Sequence, residues 1–176
     1  LGDVYKRQFL YCVNFNLHGS MKPSTVSVVD PVTMTEITTI TTGSMPHGSR
    51  ISPDGLFQYS VAMMSGELFE VDALSLEVSR TLDLENKMIK KDVTKHSMDG
   101  MKSMDGMKHS MVKPTWVIPH PKKNLAYIAG NGSDEVIEVD LDEWKVSDRF
   151  NAGKGPYNLE ISPDAKSVSY THLTLP

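Results

Sequence analysis

The sequence predicts an all-β protein: a β-propeller fragment of about three four-stranded antiparallel blades plus the first strand of a fourth. Three observations predict it. A repeat has a period of 42 residues, each repeat shows strand-like alternation of apolar and polar residues, and turn-forming residues separate the strands. A Greek-key sandwich or barrel is built from similar strands, but its strands need not repeat in sequence.

Two sets of aligned segments define the repeat. In the first set, "STVSVVDPVT", "GELFEVDALS" and "DEVIEVDLDE" each close a strand with an aspartate, at Asp30, Asp72 and Asp140. In the second set, "MPHGSRISPDGL", "KPTWVIPHPKKN" and "GPYNLEISPDAK" each begin with a proline, at Pro46, Pro114 and Pro156. Both sets contain one spacing of 42 residues and one of 68. The excess of 26 residues indicates a single insertion.

Each unit is predicted to contain four short strands, which in the third unit are "TWVIP", "LAYIAG", "EVIEVD" and "KVSDRF". The "SPDG" segment has the residues of a tight turn, and the repeated aspartates can bond the backbone of the next turn. We place the units at about residues 9–43, 44–85 and 113–153, with the next beginning at 154–167. The insertion covers residues 86–112.

The two ends of the sequence depart from the repeat. Where the register requires further blade strands, the chain has "LGDVYKRQ" at residues 1–8 and "VSYTHLTLP" at residues 168–176. Both segments resemble translated adapter sequence, so we expect them to be non-native. Since propellers have ~4–8 blades, we also expect the chain to be part of a longer protein.

The totals exclude some function classes. A net charge of −4 without a basic cluster in the repeat does not favour a nucleic-acid partner. No apolar run approaches the ~18–20 residues of a membrane span. The single cysteine, Cys12, cannot form a disulfide within the chain, which leaves the redox compartment open.

The units resemble the YVTN family of β-propeller repeats. The matching residues are "LYCVNFN", "AYIAGNGSDEVIEVDLDEWKV" and the "ISPDG" and "ISPDA" turns. The resemblance implies a bacterial exported protein, periplasmic or extracellular, whose relatives include non-enzymatic binding proteins, sugar-lactone hydrolases and the haem-carrying domain of periplasmic nitrite reductases. A non-enzymatic binding or scaffold function is the prediction, and an enzyme is the alternative.

Propeller geometry directs attention to the innermost strand of each blade, which lines the central channel. The aligned residues at the mouth of that channel include His47, Arg50, Trp116, Tyr157 and Asn158. Such side chains around one opening suit a polar or planar ligand, or a protein partner. Alternatively, they pack or bond between blades.

Two enzymatic alternatives follow from the resemblance. His47 could be an axial ligand of haem, although a lone histidine is more often a structural hydrogen-bond partner, so haem is not the favoured cofactor. A propeller lactonase needs acidic metal ligands at the channel mouth. Among the aligned mouth positions of this sequence, the acidic residue is Glu160.

The insertion is rich in methionine and histidine. Thioether sulfur is a soft neutral ligand that suits copper(I), and imidazole adds ligands for copper(II). The sequence therefore predicts copper binding, with a spacer or an adaptable partner-binding loop as alternatives. The candidate ligands are His96, Met98, Met101, Met104, Met107, His109 and Met111.

Overall fold

The computed structural model describes residues 9–16, 22–85 and 109–172. Across these ranges the regular structure consists of β-strands, and no helix occurs within them. The strands are β1 (Leu10–Val13), β2 (Pro23–Asp30), β3 (Thr35–Ser44), β4 (Pro46–Ile51), β5 (Phe57–Ala62), β6 (Glu67–Asp72), β7 (Glu77–Asp83), β8 (Pro114–Pro119), β9 (Leu125–Gly130), β10 (Glu135–Asp140), β11 (Lys145–Asn151), β12 (Pro156–Ile161) and β13 (Val168–His172).

The strands form four antiparallel sheets in chain order, namely β1-β2-β3, β4-β5-β6-β7, β8-β9-β10-β11 and β12-β13. The predicted four-stranded unit is confirmed in the second and third sheets. In the described residues the first sheet has three strands, and the last has one strand more than the single one predicted.

The extra strand of the last sheet, β13, lies in the C-terminal segment that we expect to be non-native. It pairs with β12 from Pro156↔His172 to Ile161↔Val168, and all its side chains are exposed. Strand pairing does not test the origin of a sequence, so the expectation for both ends stays a prediction.

Apolar cores lie between consecutive sheets. Val28 of the first sheet packs with Val71 of the second. The second and third sheets share the largest cluster, which includes Leu68 and Ile128. Ala129, Val136 and Leu159 form the core between the third and fourth sheets. Each sheet thus packs on its neighbour in the sequence, as blades of a propeller do.

The predicted turn function of the repeated aspartates is confirmed. Asp72 Oδ1 accepts hydrogen bonds from the backbone N–H groups of Leu74 at 2.9 Å and Ser75 at 2.8 Å. Asp30 and Asp140 accept from the equivalent N–H groups of their own turns. Each aspartate therefore fixes the reversal from the third strand of its blade to the fourth.

Strand direction defines two faces. The inner strands β4, β8 and β12 all begin at the face that we call the mouth face and end at the opposite one, the far face. Because the strands of a blade alternate in direction, β7 returns to the mouth face before β8 begins there. The insertion therefore leaves and re-enters the fold at the mouth face.

The point of insertion is closed by a set of contacts that we call the insertion anchor, formed by Glu85, Ser110 and Val112. Glu85 Oε1 accepts hydrogen bonds from Ser110 Oγ at 2.6 Å and from the N–H of Val112 at 3.1 Å. Gly66 lies against the anchor with φ +74°, and a Cβ there would meet Ser110 Oγ at 2.7 Å. Ser110 and Val112 are buried.

Candidate functional site

The five predicted mouth residues lie on three adjacent inner strands. We call His47, Arg50, Trp116, Tyr157 and Asn158 the mouth cluster. The first two are on β4, Trp116 is on β8, and the last two are on β12. The structure brings two pairs of them into contact across the blade boundaries, His47 with Tyr157 and Arg50 with Trp116.

A β-bulge recurs at the same position in all three inner strands. Pairing with the second strand of each blade shifts by one residue between Pro46 and Ser49, between Pro114 and Trp116, and between Pro156 and Asn158. A bulge bends its strand and re-aims the side chains beside it. The sequence alignment matched these positions but did not predict the bulges. In a strand of six residues, one extra residue does not disturb the apolar pattern enough to be recognised.

His47 is held by an aromatic pair and a hydrogen bond. Its Nε2 lies 2.7 Å from Tyr157 Oη, and its ring makes edge contacts with Phe15 and Tyr157 at centroid distances of 5.1 and 5.0 Å. Burial lowers the pKa of His47, and the nearby backbone of Thr115 opposes this in part. The imidazole therefore favours the neutral form. Phe15 was not among the predicted site residues.

Arg50 joins the second, third and fourth sheets. Its guanidinium carbon lies 4.5 Å from the centroid of the Trp116 ring, and its Nη2 lies 3.2 Å from Glu160 Oε1. Both charged side chains are more than a third exposed, so this pair contributes little to stability. A cation on an indole face beside a carboxylate forms a surface that is both polar and planar.

Three buried polar atoms of the mouth cluster have no hydrogen-bond partner of good geometry among the described residues. They are His47 Nδ1, Trp116 Nε1 and Asn158 Oδ1. Leaving a buried polar group unpaired is unfavourable by roughly 1–3 kcal/mol. Nδ1 of His47 lies beside the backbone of Thr115, which leaves Trp116 Nε1 and Asn158 Oδ1 as the two unpaired polar atoms of the cluster.

Other inner-strand contacts serve to hold the blades together. Thr115 Oγ1, which is buried, donates to the carbonyl oxygen of Tyr157 at 2.8 Å. At Gly48, an added Cβ would lie 2.6 Å from Trp116 Cα, so only glycine permits this approach of β4 to β8. These contacts agree with the alternative of packing and bonding between blades, as do the His47–Tyr157 and Arg50–Glu160 contacts.

The candidate copper ligands fall mostly outside the described residues. His96, Met98, Met101, Met104 and Met107 lie there, while His109 and Met111 are described and exposed, Met111 to 74%. Within the described ranges no group of three or more His, Cys, Asp or Glu side chains could hold a metal ion. Copper binding by the insertion stays a prediction.

A second candidate site, which sequence reasoning missed, opens on the far face between the second and third sheets. We call it the far-face cleft. It has a volume of about 700 Å³. One wall is formed by Tyr59, Glu70 and Arg80, and the other by the turn at residues 119–124 and by Leu141. The available signal was the turn "HPKKN", which replaces the "SPDG" of another unit.

A charged pair, Glu70 and Arg80, lies in the first wall of the far-face cleft. Glu70 is only 2% exposed, and its two carboxylate oxygens accept from Arg80 Nε at 2.8 Å and Arg80 Nη2 at 2.5 Å. Burial and the adjacent Glu70 raise the pKa of Tyr59, so this phenol stays protonated. The acidic stretch at residues 133–143 is partly buried, and its Glu135 pairs with Arg149.

Within the described residues, no helix has the length and apolar character needed to cross a membrane.

Comparison with known proteins gives structural matches alone. No family model matches the sequence, and no curated protein matches it. Hydrazine synthase from Kuenenia stuttgartiensis, a propeller-containing protein, matches with a TM-score of 0.72 and 19% identity over 97% of this chain and 40% of the other.

A chain of the mitotic checkpoint complex, with a WD40 propeller, matches with a TM-score of 0.64 and 11% identity over 84% of this chain and 40% of the other. The chain thus spans about 40% of the length of both matched chains. At these identities the likeness shows the fold. Repeated antiparallel sheets, cores between successive sheets and these structural matches together establish that the described residues form part of a β-propeller.

Proposed function

We propose that the protein is an exported, non-enzymatic binding or scaffold propeller of the YVTN type, and that the mouth cluster holds a small polar, planar ligand. The observation that carries this is the pair of unpaired polar atoms on Trp116 and Asn158, beside the Arg50–Trp116 stack. A flat molecule with a donor and an acceptor could stack beside Arg50 and Trp116 and form hydrogen bonds with these atoms. Repeated bulges beside the cluster support a site, since bulges concentrate next to binding and catalytic residues.

The mouth cluster does not favour haem chemistry. Nε2 of His47 is engaged by Tyr157, and Nδ1 is buried beside the backbone of Thr115. Axial ligation would require one of these contacts to break. Glu160 is paired with Arg50, and a lactonase would need further acidic metal ligands. We therefore propose no catalytic step, and visible absorbance of the purified protein would test for haem.

Tryptophan fluorescence can test ligand binding at the mouth cluster. The sequence contains two tryptophans, so Trp144→Phe leaves Trp116 as the reporter. Nicotinamide and benzoate are suitable first probes, because both are planar and polar. We expect a saturable change in Trp116 emission, and a roughly tenfold weaker affinity after Arg50→Lys, which retains the charge but loses the planar stack.

The matched control for this site is a pair of charge-neutralising variants. Glu160→Gln removes the carboxylate next to Arg50, whereas Glu143→Gln removes one from an exposed pair with Lys145. Only the first should alter the affinity. If neither probe gives a saturable signal, or if both variants behave alike, the proposed mouth site is wrong.

We also propose that the insertion binds copper(I) through its methionines. Its support is the spacing of three between Met98, Met101, Met104 and Met107, together with the exposure of Met111 where the chain re-enters the fold. Neutral sulfur ligands can gather on one ion without repelling one another. Bringing copper to the mouth face would place it at the same end of the propeller as the mouth cluster.

Copper(I) competition tests this second proposal. The protein and a variant with leucine at Met98, Met101, Met104, Met107 and Met111 are titrated against a copper(I) chelator. We expect the variant to lose at least about tenfold in affinity. Met34→Leu is the matched control, because Met34 is exposed on a turn of the first sheet. Equal affinities for the protein and the five-leucine variant would end the copper proposal.

A further inference from the structure

The far-face cleft lies where two neighbouring units depart from the repeat. In the other described units, the turn after the inner strand relies on an acid. Asp54 Oδ1 accepts from the N–H of Leu56 at 3.0 Å, and Asp164 Oδ1 accepts from the N–H of Lys166 at 3.2 Å. The aspartate at this column therefore has a structural function in both turns.

In the third unit a histidine in the column of Ser52 and Ser162 holds the turn through other N–H groups. His120 Nδ1 accepts the N–H groups of Lys122 and Lys123, both at 3.0 Å. Because Nδ1 is an acceptor, the neutral ring carries its proton on Nε2. Lys122 occupies the column of Asp54 and Asp164. The turn no longer needs an acid there, and a basic side chain lines the cleft in its place.

The opposite wall departs from the repeat as well. The column of Arg80 holds Thr38 in the first sheet and Asp148 in the third. Besides its two bonds to Glu70, Arg80 donates through Nη1 to the carbonyl of Leu141 at 3.0 Å, and its guanidinium stacks on Trp144 at 4.2 Å.

The donors of the cleft are fixed in place and partly unused. A guanidinium has five N–H groups, and Arg80 uses three of them in these contacts, which leaves two. Its side chain is 36% exposed and lines the cleft. Glu70 and Trp144 hold the planar group on two sides, which lowers the entropy lost when an anion binds.

The acids of the cleft are already engaged, whereas its lysines are not. Asp54 binds its own turn, Glu70 binds Arg80, and Asp142 Oδ1 accepts from Asn124 Nδ2 at 2.7 Å. Among the described residues, no ion pair involves the ammonium group of Lys122 or Lys123. The cleft is lined by three acidic and three basic side chains, so their formal charges balance. The groups left available to a ligand are nevertheless hydrogen-bond donors and ammonium groups. Pro53, Phe57 and Leu141 add an apolar surface.

We propose that the far-face cleft binds a small anionic molecule, which presents a carboxylate or phosphate group to Arg80, His120 and Lys122 and an apolar body to Phe57 and Leu141. A volume of about 700 Å³ is within the usual range for small-molecule sites. This site is separate from the mouth cluster, which lies at the opposite face. Its ligand binds independently of any ligand at the mouth.

Phenyl phosphate and phenylacetate are the probes, because they join an anionic group to a flat apolar body. Benzyl alcohol is the uncharged comparison. Trp116→Phe leaves Trp144, which stacks under Arg80, as the fluorescent reporter. We expect a saturable change in Trp144 emission with at least one anion and none with benzyl alcohol. The stronger of the two anions identifies the ligand class.

Lys122→Asp restores the acid of the other units and is compatible with the turn. It should weaken binding by at least about tenfold. Lys154→Asp makes the same charge change on an exposed turn at the mouth face and should leave the affinity unchanged. Absence of saturation by both anions, equal binding of benzyl alcohol, or equal effects of the two lysine variants would overturn the proposal. Far-ultraviolet circular dichroism confirms that each variant is folded.

Discussion

A buried charged pair distinguishes the second sheet from its neighbours. Glu70 is buried at a column that holds Val28 in the first sheet and the half-buried Glu138 in the third, and its partner Arg80 takes the column of Thr38 and Asp148. Desolvation of a charge is unfavourable unless a partner and hydrogen bonds compensate for it. Arg80 and Ser79 supply both for Glu70.

Arg80→Met should destabilise the fold by about 2–3 kcal/mol, because it leaves the Glu70 carboxylate buried without its cation; the partial exposure of Arg80 keeps this below the loss for a fully buried pair. Urea unfolding measures the change. Glu70→Val with Arg80→Thr, which copies the first sheet, should recover most of it. A double variant as unstable as Arg80→Met would contradict the prediction.

His47 should make stability depend on pH. Its pKa in the fold is lowered from 6.5 by burial, so the unfolded chain takes up the proton first as pH falls. The contribution is complete above about pH 6.5 and is lost as pH falls through the lower folded pKa. We expect His47→Gln to reduce the fall in unfolding free energy between about pH 7 and pH 5. An unchanged slope would show that His47 is not the group responsible.

Strands and turns of the blades follow from local sequence. Asp30, Asp72 and Asp140 end strands in the structure as their spacing predicts, because side-chain acceptors and period-two alternation act over a few residues. The bulges of the inner strands and the cleft were not predictable in this way. Both depend on how neighbouring blades approach, as the contact of Gly48 with Trp116 shows.

Ser110→Ala tests the insertion anchor. Ser110 Oγ donates to Glu85 and accepts from the N–H of Lys113 at 2.8 Å; its loss removes one of the two bonds to Glu85 and leaves the half-buried N–H of Lys113 without this partner. We expect destabilisation by about 1–3 kcal/mol, measured by urea unfolding. Ser169→Ala, which removes an exposed hydroxyl on β13, is the control and should change stability by less than about 0.5 kcal/mol. Similar values for the two would show that the anchor is dispensable.

The molecule as a whole is stabilised by apolar packing between successive sheets. The repeat predicted consecutive blades, and the structure has the sheets in that order. The mouth residues were also predicted, as aligned columns of the inner strands, but their partners were not. Contacts such as His47–Tyr157 join residues that are 110 positions apart, and no local pattern specifies such a pair.

Leu68→Ala should destabilise the whole chain by about 2–5 kcal/mol, because Leu68 is fully buried between the second and third sheets. Leu74→Ala is the matched control, since Leu74 is 94% exposed on a turn, and it should change stability by less than about 0.5 kcal/mol. Urea unfolding followed by fluorescence measures both. A small effect of Leu68→Ala would mean that the two sheets do not share a continuous core.

Glu85 holds the two ends of the insertion side by side. The packing of the blades therefore does not depend on which residues lie between these ends. A chain joined at such a gap loses little more entropy as it grows, about 0.6 kcal/mol for each doubling of its length. Inserted segments of different length or composition can therefore replace one another there while the blades keep their spacing. The propeller therefore tolerates inserted segments at this point.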